Sequence, residues 1–289
     1  MKKIGYLVLT LIAAVLTVDV FAQIQTPAPS PGARVEQQVG VNNFSIDYSR
    51  PGVKGRELFV DVEAWGQTWR TGANAGTFLE FDADATFGGN KVPAGRYLVF
   101  TIPGKENWTW MLYGDLTLGG NVAGYDEANE VARWTSPTKT WDTNVENMAF
   151  VFSNVKDNST DIGLYWGKYY TTFTASVDTD SQVMASIDQA MENPLARVGG
   201  QYAQAANYYY QNDKDLNKAL EWINEAIKIN SNAFWNIHTK AQIQAKMGDY
   251  KGAIATAQMS MDKAKANEAG DFGYIKRNED ALAMWKSKK

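Results

Sequence analysis

The sequence predicts a multi-domain β + α chain: an antiparallel β-sandwich, or a barrel-like relative of one, over residues 34–178, followed by an α-helical repeat module over 180–289. Three observations predict it. Apolar and polar residues alternate with period two through the first part. Past Asp180 the alternation stops and helix formers dominate. Within the second part, Asp215-Leu216-Asn217-Lys218-Ala219-Leu220 matches Asp249-Tyr250-Lys251-Gly252-Ala253-Ile254 at an offset of 34 residues. The formal charge changes over the same boundary, from −7 across 23–180 to +2 across 181–289.

The elements follow in order. Met1-Lys2-Lys3 is basic, Ile4 to Val18 carries no charge, and Val20-Phe21-Ala22 has the pattern a signal peptidase reads. This predicts an export signal over 1–22, cut between Ala22 and Gln23, and a periplasmic or secreted mature chain. The apolar run is about 15 residues, short of the ~20 that cross a bilayer, and Asp19 interrupts it. With no cysteine there is no lipoprotein anchor, and no membrane span is expected after cleavage. Residues 23–33 are rich in proline and read as a linker.

Strands are then expected where Phe44, Ile46 and Tyr48 alternate with Ser45 and Asp47, and where Leu79, Phe81 and Ala83 alternate with Glu80, Asp82 and Asp84. The run from Tyr97 to Ile102 is apolar on both parities, which predicts burial on both faces. Further strands are expected at Trp108–Tyr113, Met148–Asn154, Thr160–Trp166 and Tyr169–Val177. Gly88-Gly89-Asn90 and Val155-Lys156-Asp157-Asn158 are turn signals, and Gly167-Lys168 suits a type II′ hairpin because glycine tolerates positive φ. Glu80, Asp82 and Asp84 read as one solvated outer face of a straight strand rather than a calcium site.

Composition limits the chemistry. The 289 residues hold no cysteine and one histidine, His238, so thiol chemistry and Cys-ligated metals are excluded and no metal or cofactor is expected. Neither half is basic enough for a nucleic-acid binder. Gly-x-Ser-x-Gly, phosphate-binding loops and dinucleotide fingerprints are absent. A pair of carboxylates can hydrolyse a glycosidic bond, and Glu57, Asp61 and Glu63 are the candidates for that alternative. A second alternative is a carbohydrate-binding module.

The loops around Arg50 and Trp69 concentrate the arginine and tryptophan of the β domain. Arginines beside an aromatic wall can hold a carboxylate, phosphate or sugar. Tyr48, Arg50, Arg56, Trp65, Trp69, Arg70, Asn74 and Arg96 are therefore the candidate site for a small anionic or sugar ligand. The competing reading is that the arginines tie loop carbonyls together and the tryptophans plug one end of the domain. Tyr48 to Arg56, Trp69-Arg70-Thr71-Gly72-Ala73-Asn74-Ala75, and Val92-Pro93-Ala94-Gly95-Arg96-Tyr97 leading to Phe100-Thr101-Ile102-Pro103-Gly104 and Trp108 resemble bacterial domain-of-unknown-function family 2911 over roughly 29–175. The resemblance implies an exported β domain, often with a helical repeat tail, and brings no established activity.

In the second part, helices are expected at Ser181–Met191, Tyr202–Asn212, Asn236–Gly248 and Asp271–Lys286, besides the two that follow Asp215 and Asp249. Asn193-Pro194 reads as a helix start, with Asn as N-cap. The 34-residue unit looks like a tetratricopeptide repeat over about two units, with Ala219, Ile223 and Ala226 at its small–large–small positions. It departs from that pattern at Ser231, which stands where the unit-ending proline would be, and at Ser260, which stands where position 226 has alanine. Tyr209, Trp222 and Trp235 are the candidates for binding a protein partner. The expected function is thus an exported, non-catalytic envelope protein that binds a partner through its helices.

Overall fold

In the computed structural model the structure describes residues 26–193 and 198–288, and these divide into two compact units that meet at Val177 and Asp178. The expected export signal, 1–22, lies outside the described residues.

The first unit is built from ten antiparallel strands: β1 Gly32–Val39, β2 Asn42–Ser49, β3 Thr77–Phe81, β4 Ala85–Phe87, β5 Asn90–Val92, β6 Gly95–Ile102, β7 Asn107–Tyr113, β8 Glu130–Pro137, β9 Lys139–Ser153 and β10 Ser159–Val177. They form a six-stranded sheet in the order β1-β2-β3-β6-β7-β8 and a four-stranded sheet in the order β5-β4-β10-β9. Side chains from the two inner faces interdigitate, as alternation along each strand requires. Phe44, Ile46 and Tyr48 of β2, Trp108, Trp110 and Leu112 of β7, and Ile162, Leu164 and Trp166 of β10 meet in one cluster. The sheets also approach at their edges: Asn90 Nδ2 donates to the Arg133 carbonyl (3.0 Å), and Gly52 bridges Asn147 of β9.

Strand β6 is buried on both faces. Val99 and Thr101 face the inter-sheet core, while Leu98 and Phe100 join Met111 and Tyr113 in a second cluster on the outer face. The excursion between β7 and β8 covers that cluster with Leu118, Val122 and Tyr125. Tyr125 Oη donates to Glu130 Oε1 (2.6 Å), which fastens the cover to the start of β8.

One strand is added to the sequence expectations for this unit and two of them are corrected. The added strand is β1, for which the sequence reading named no alternating residues: it pairs along its full length with β2, from Gly32↔Ser49 to Val39↔Asn42. The acidic run does not lie on one straight strand. β3 ends at Phe81 and the chain bends at 82–83 to change sheets, with Asp82 accepting from Asn43 N–H and Nδ2 (both 2.9 Å). Gly167-Lys168 is not a hairpin turn: β10 runs unbroken from Ser159 to Val177, and Gly167 (φ +59°) sits at a bulge against β9. The positive φ expected of glycine is present, and a bulge uses it as readily as a turn. By contrast, Gly88 (φ +54°) and Gly89 (φ +87°) do close the two-residue β4–β5 hairpin, with Phe87 paired to Asn90.

The second unit has six helices among the described residues: α1 Thr179–Glu192, α2 Gly199–Gln211, α3 Leu216–Ile229, α4 Phe234–Lys246, α5 Tyr250–Lys265 and α6 Tyr274–Lys286. Asp215 and Asp249, 34 residues apart, are the N-caps of α3 and α5: Asp215 accepts from Asn217 and Lys218 N–H, and Asp249 from Gly252 N–H. Ala219, Ile223 and Ala226 of α3 are fully buried, and so are Ala253, Ala257 and Ser260 of α5. Ile187 of α1 closes the cluster built on Ala205, Ala206, Tyr209 and Ile223. Leu282 and Trp285 of α6 pack on Ala253 and Ala257. Small residues let the helix axes approach, and the outer helices cover apolar faces that a pair alone leaves open.

Asn193 is not the N-cap expected of Asn193-Pro194, and Pro194 lies outside the described residues. Asn193 is the C-cap of α1, its N–H bonded to the Gln189 carbonyl and its backbone extended (φ −86°, ψ 110°). A proline excludes helical geometry from the residue before it, so the same dipeptide that can open a helix here closes one.

Candidate functional site

The helical unit carries a groove of about 1100 Å³, lined by α2, α4 and α6 together with Tyr250 at the start of α5. These are alternate helices, so one type of helix faces the groove while α3 and α5 stand behind. Trp235, 43 % exposed, lies on the α4 side, and Trp285 and Tyr274 come from α6. Three basic groups line it. Lys246 pairs with Asp213 (2.6 Å) and lies over the Tyr210 ring, Arg277 lies over Tyr274 (4.9 Å), and Lys288 lies over Tyr250 (5.7 Å). The acid that lines the groove, Asp280, pairs with Lys276 (2.6 Å). The lining is therefore aromatic and cationic, with amides of Asn207, Asn236 and Gln242 between.

His238 faces this groove from α4 and is held from behind. Its Nδ1 lies 2.8 Å from Asn278 Oδ1. The Asn278 amide nitrogen donates to Ser260 Oγ (2.9 Å) and to the Tyr274 carbonyl (2.7 Å), which fixes the amide orientation. Asn278 thus presents its oxygen, and His238 Nδ1–H donates to it, leaving Nε2 as the acceptor. Ser260 Oγ in turn donates to the Phe234 carbonyl (2.7 Å). Burial pushes the His238 imidazole below its ordinary pKa; the Asn278 hydrogen bond opposes that shift and the Arg277 charge adds to it.

Of the partner candidates read from the sequence, Tyr209 and Trp222 are core: 5 % and 7 % exposed, they meet edge to face at 4.9 Å. Only Trp235 reaches the groove. Sequence reasoning missed Lys246 of α4, Arg277 and Trp285 of α6, and Lys288 just past its end; of these only Arg277 and Trp285, eight residues apart, share one helix face.

In the β domain the candidate ligand residues are dispersed. Arg50 Nε donates to the Met148 carbonyl (2.7 Å), and Arg56 donates to the Gly52 and Val53 carbonyls (2.7 and 3.1 Å). Arg70 donates to the Asn74 carbonyl (3.0 Å), and Asn74 Nδ2 to the Ser30 carbonyl (2.9 Å). Trp69, 1 % exposed, stacks on Trp166 and donates from Nε1 to the Gly72 carbonyl. Trp65 packs on Phe59 and Tyr169. Tyr48 accepts from Phe150 N–H through its hydroxyl (3.1 Å). Arg96 lies apart on the outer face of the six-stranded sheet, between Glu80 (3.0 Å) and Asp47 (3.3 Å). A shallow cavity of about 490 Å³ lies there, and its carboxylates are engaged: Glu36 with Arg34, Glu80 with Arg96, and Asp82 with Asn43.

Of the three acids raised for glycosidase chemistry, only Asp61 has its carboxylate engaged by a hydrogen bond within the loop. Asp61 accepts from Glu57 N–H (2.8 Å), and partial desolvation raises the Glu63 carboxyl against the pull of Arg70. Among the described residues no group of three or more His, Asp or Glu side chains is placed to hold a metal, and no helix is long and apolar enough to cross a membrane.

The family model described as "Protein of unknown function (DUF2911)" matches residues 30–175. The chain belongs to this family. The matched span covers β1 to β9 whole and β10 except for its last two residues, Ser176 and Val177. The DUF2911 signature thereby acquires a physical reading, because the Trp69–Asn74 stretch is a structural clasp. Trp69 pairs with Thr101 through both backbone groups, Thr71 Oγ1 donates to Thr101 Oγ1 (3.1 Å), and a Cβ at Gly72 would lie 2.9 Å from Thr77 Oγ1. No curated protein and no solved structure matches the chain.

Proposed function

We propose that the chain is an exported, non-catalytic protein of the cell envelope whose helical unit holds a protein partner as an extended acidic segment. The observation that carries this reading is the groove of α2, α4 and α6, with its aromatic floor and its excess of basic over acidic side chains. Extended peptides bind such concave helical surfaces because the alternate helices present side chains at regular intervals. Charge complementarity then selects acidic segments. The 34-residue spacing of the Asp215 and Asp249 caps, and the buried small residues behind them, support a tetratricopeptide-like repeat of about two units. The basic and apolar pattern of residues 1–22 supports export to the periplasm or beyond.

The test is photo-crosslinking of the full chain in intact cells, with the photoreactive residue at Gln242 in the groove or at Lys251 on the exposed side of α5. A defined adduct at 242 and not at 251, lost when Arg277→Glu and Lys288→Glu are combined, is the expected result. Equal labelling at both positions, or none at 242, sinks the reading.

A further inference from the structure

Strands β9 and β10 carry an aromatic group on the outer face of the four-stranded sheet, away from the inter-sheet core. Trp141 of β9 lies 5.3 Å from Tyr165 and 5.7 Å from Tyr170, both of β10, and the two tyrosine rings lie 5.3 Å apart with planes parallel to within 5°. Trp141 is 40 % exposed and both tyrosines are half-buried.

Two irregularities build the group. Gly167 pairs with Val145 and Tyr169 with Thr140, so residues 141–144 of β9 stand opposite Lys168 alone and carry Trp141 out over the sheet. The same bulge shifts the parity of β10: Thr160, Ile162, Leu164 and Trp166 point inward before it, and Thr171, Phe173, Ala175 and Val177 after it. Tyr165 and Tyr170 thereby share the outer face. Tyr165 leans over Gly163, where a Cβ would lie 2.6 Å from its ring, so this glycine is the space the ring uses.

The surroundings are polar. Asp161 stands on the same face as Tyr165, four residues along the strand or about 13 Å away at ordinary rise. Its carboxylate is held by Asn154 Nδ2 (2.7 Å) and Thr174 Oγ1 (2.6 Å), and Lys139 lies over the Tyr170 ring (5.8 Å). Three rings with Ala149 and Val151 beside them make an island too small for a stable protein interface, which buries well over 1,000 Å². The island has instead the size and amphipathic character of a sugar. Pyranose C–H faces carry partial positive charge and stack on the electron-rich faces of aromatic rings, while hydroxyls donate hydrogen bonds to flanking carboxylates and accept them from amide and ammonium groups.

We propose that Trp141, Tyr165 and Tyr170 form a carbohydrate-binding platform for a short neutral oligosaccharide, its sugar ring stacked on Trp141 and its chain running toward Asp161. This site is independent of the helical groove and stands or falls without it.

The experiment is titration calorimetry of the full chain with chitotetraose, cellotetraose and mannotetraose, joined to saturation-transfer NMR with irradiation of the aromatic protons. At least one probe is expected to bind, with saturation strongest on its ring C–H protons. Trp141→Ala and Tyr170→Leu are each expected to weaken that binding by about tenfold or more, and Trp235→Ala to leave it unchanged. Absence of binding by all three probes, or equal binding by the parent and by both platform variants, overturns the proposal. If circular dichroism shows that either variant has lost its sheet, the saturation pattern on the unsubstituted chain decides: transfer confined to groups other than the ring C–H face also overturns it. Self-association of the parent, abolished by Trp141→Ala, would assign the platform to a second copy of the chain and overturn it equally.

Discussion

Tyr165 and Tyr170 lie with their rings parallel to within 5° on one face of one strand, although they are five positions apart. In an unbroken strand an odd separation puts two side chains on opposite faces. The bulge at Gly167 supplies the missing step and keeps Trp166 and Thr171 both in the core. Gly167→Ala is therefore expected to lower stability by about 1–3 kcal/mol, from the left-handed backbone together with crowding. The added Cβ would lie 2.5 Å from Leu58 Cδ1. Urea unfolding of the two proteins measures it; an unchanged midpoint would show that the bulge can relax.

Ser260 stands where the earlier unit has Ala226, and its hydroxyl links Asn278 to the Phe234 carbonyl. Ser260→Ala restores the small apolar residue without changing the backbone. The substitution is expected to destabilise by about 1–3 kcal/mol, because the Phe234 carbonyl loses a buried donor. Gain of stability in a thermal melt would mean that packing outweighs the link.

Trp222 and Trp235 are thirteen residues apart in sequence and opposite in role. Trp222→Ala is expected to cost about 3–5 kcal/mol, the range for emptying a large core site. Trp235→Ala should stay within about 0.5 kcal/mol of the parent, as an exposed substitution does, while weakening the crosslink formed at Gln242. Calorimetric melting of both variants separates the two roles.

His238 is the one histidine of the chain, so its C2 proton gives an unambiguous NMR titration. Burial holds its folded pKa below the ordinary 6.5, and the unfolded chain therefore takes up the proton first as pH falls. The neutral imidazole's contribution is complete above about pH 6.5 and is lost as pH drops through the folded pKa. His238→Gln, whose amide can still donate to Asn278, is expected to flatten the stability profile on the acid side of 6.5, apart from the slope that carboxylates add. A titration midpoint at or above 6.5 would contradict the burial argument.

Sequence patterning carried the class of the fold and much of its core. Alternation placed Phe44, Ile46 and Tyr48 inside, the two-sided apolar run placed β6 under cover on both faces, and the repeated aspartates marked the starts of α3 and α5. These signals are local, because period and capping act within a few residues. The ambiguous ones were those in which a single residue type serves two geometries. Gly167 fits a turn or a bulge, and Asn193-Pro194 fits a helix start or a helix end. Only the partner strand, or the helix already formed behind, selects between them.

The candidate sites divide the same way. An excess of arginine and tryptophan around Arg50 and Trp69 was plain in the sequence, yet whether a guanidinium faces a ligand or a carbonyl depends on chain far away, such as Met148 for Arg50. The groove and the aromatic platform were invisible for the complementary reason. Lys246, Arg277 and Lys288 come from separate stretches, as do Trp141 and Tyr165, and none is unusual among its sequence neighbours. By itself the sequence determined what this protein lacks, where its two parts divide and which faces are apolar. Tertiary structure decided which polar groups were consumed in holding the fold and which remained directed outward, because that choice is made by contacts between residues that no local period relates.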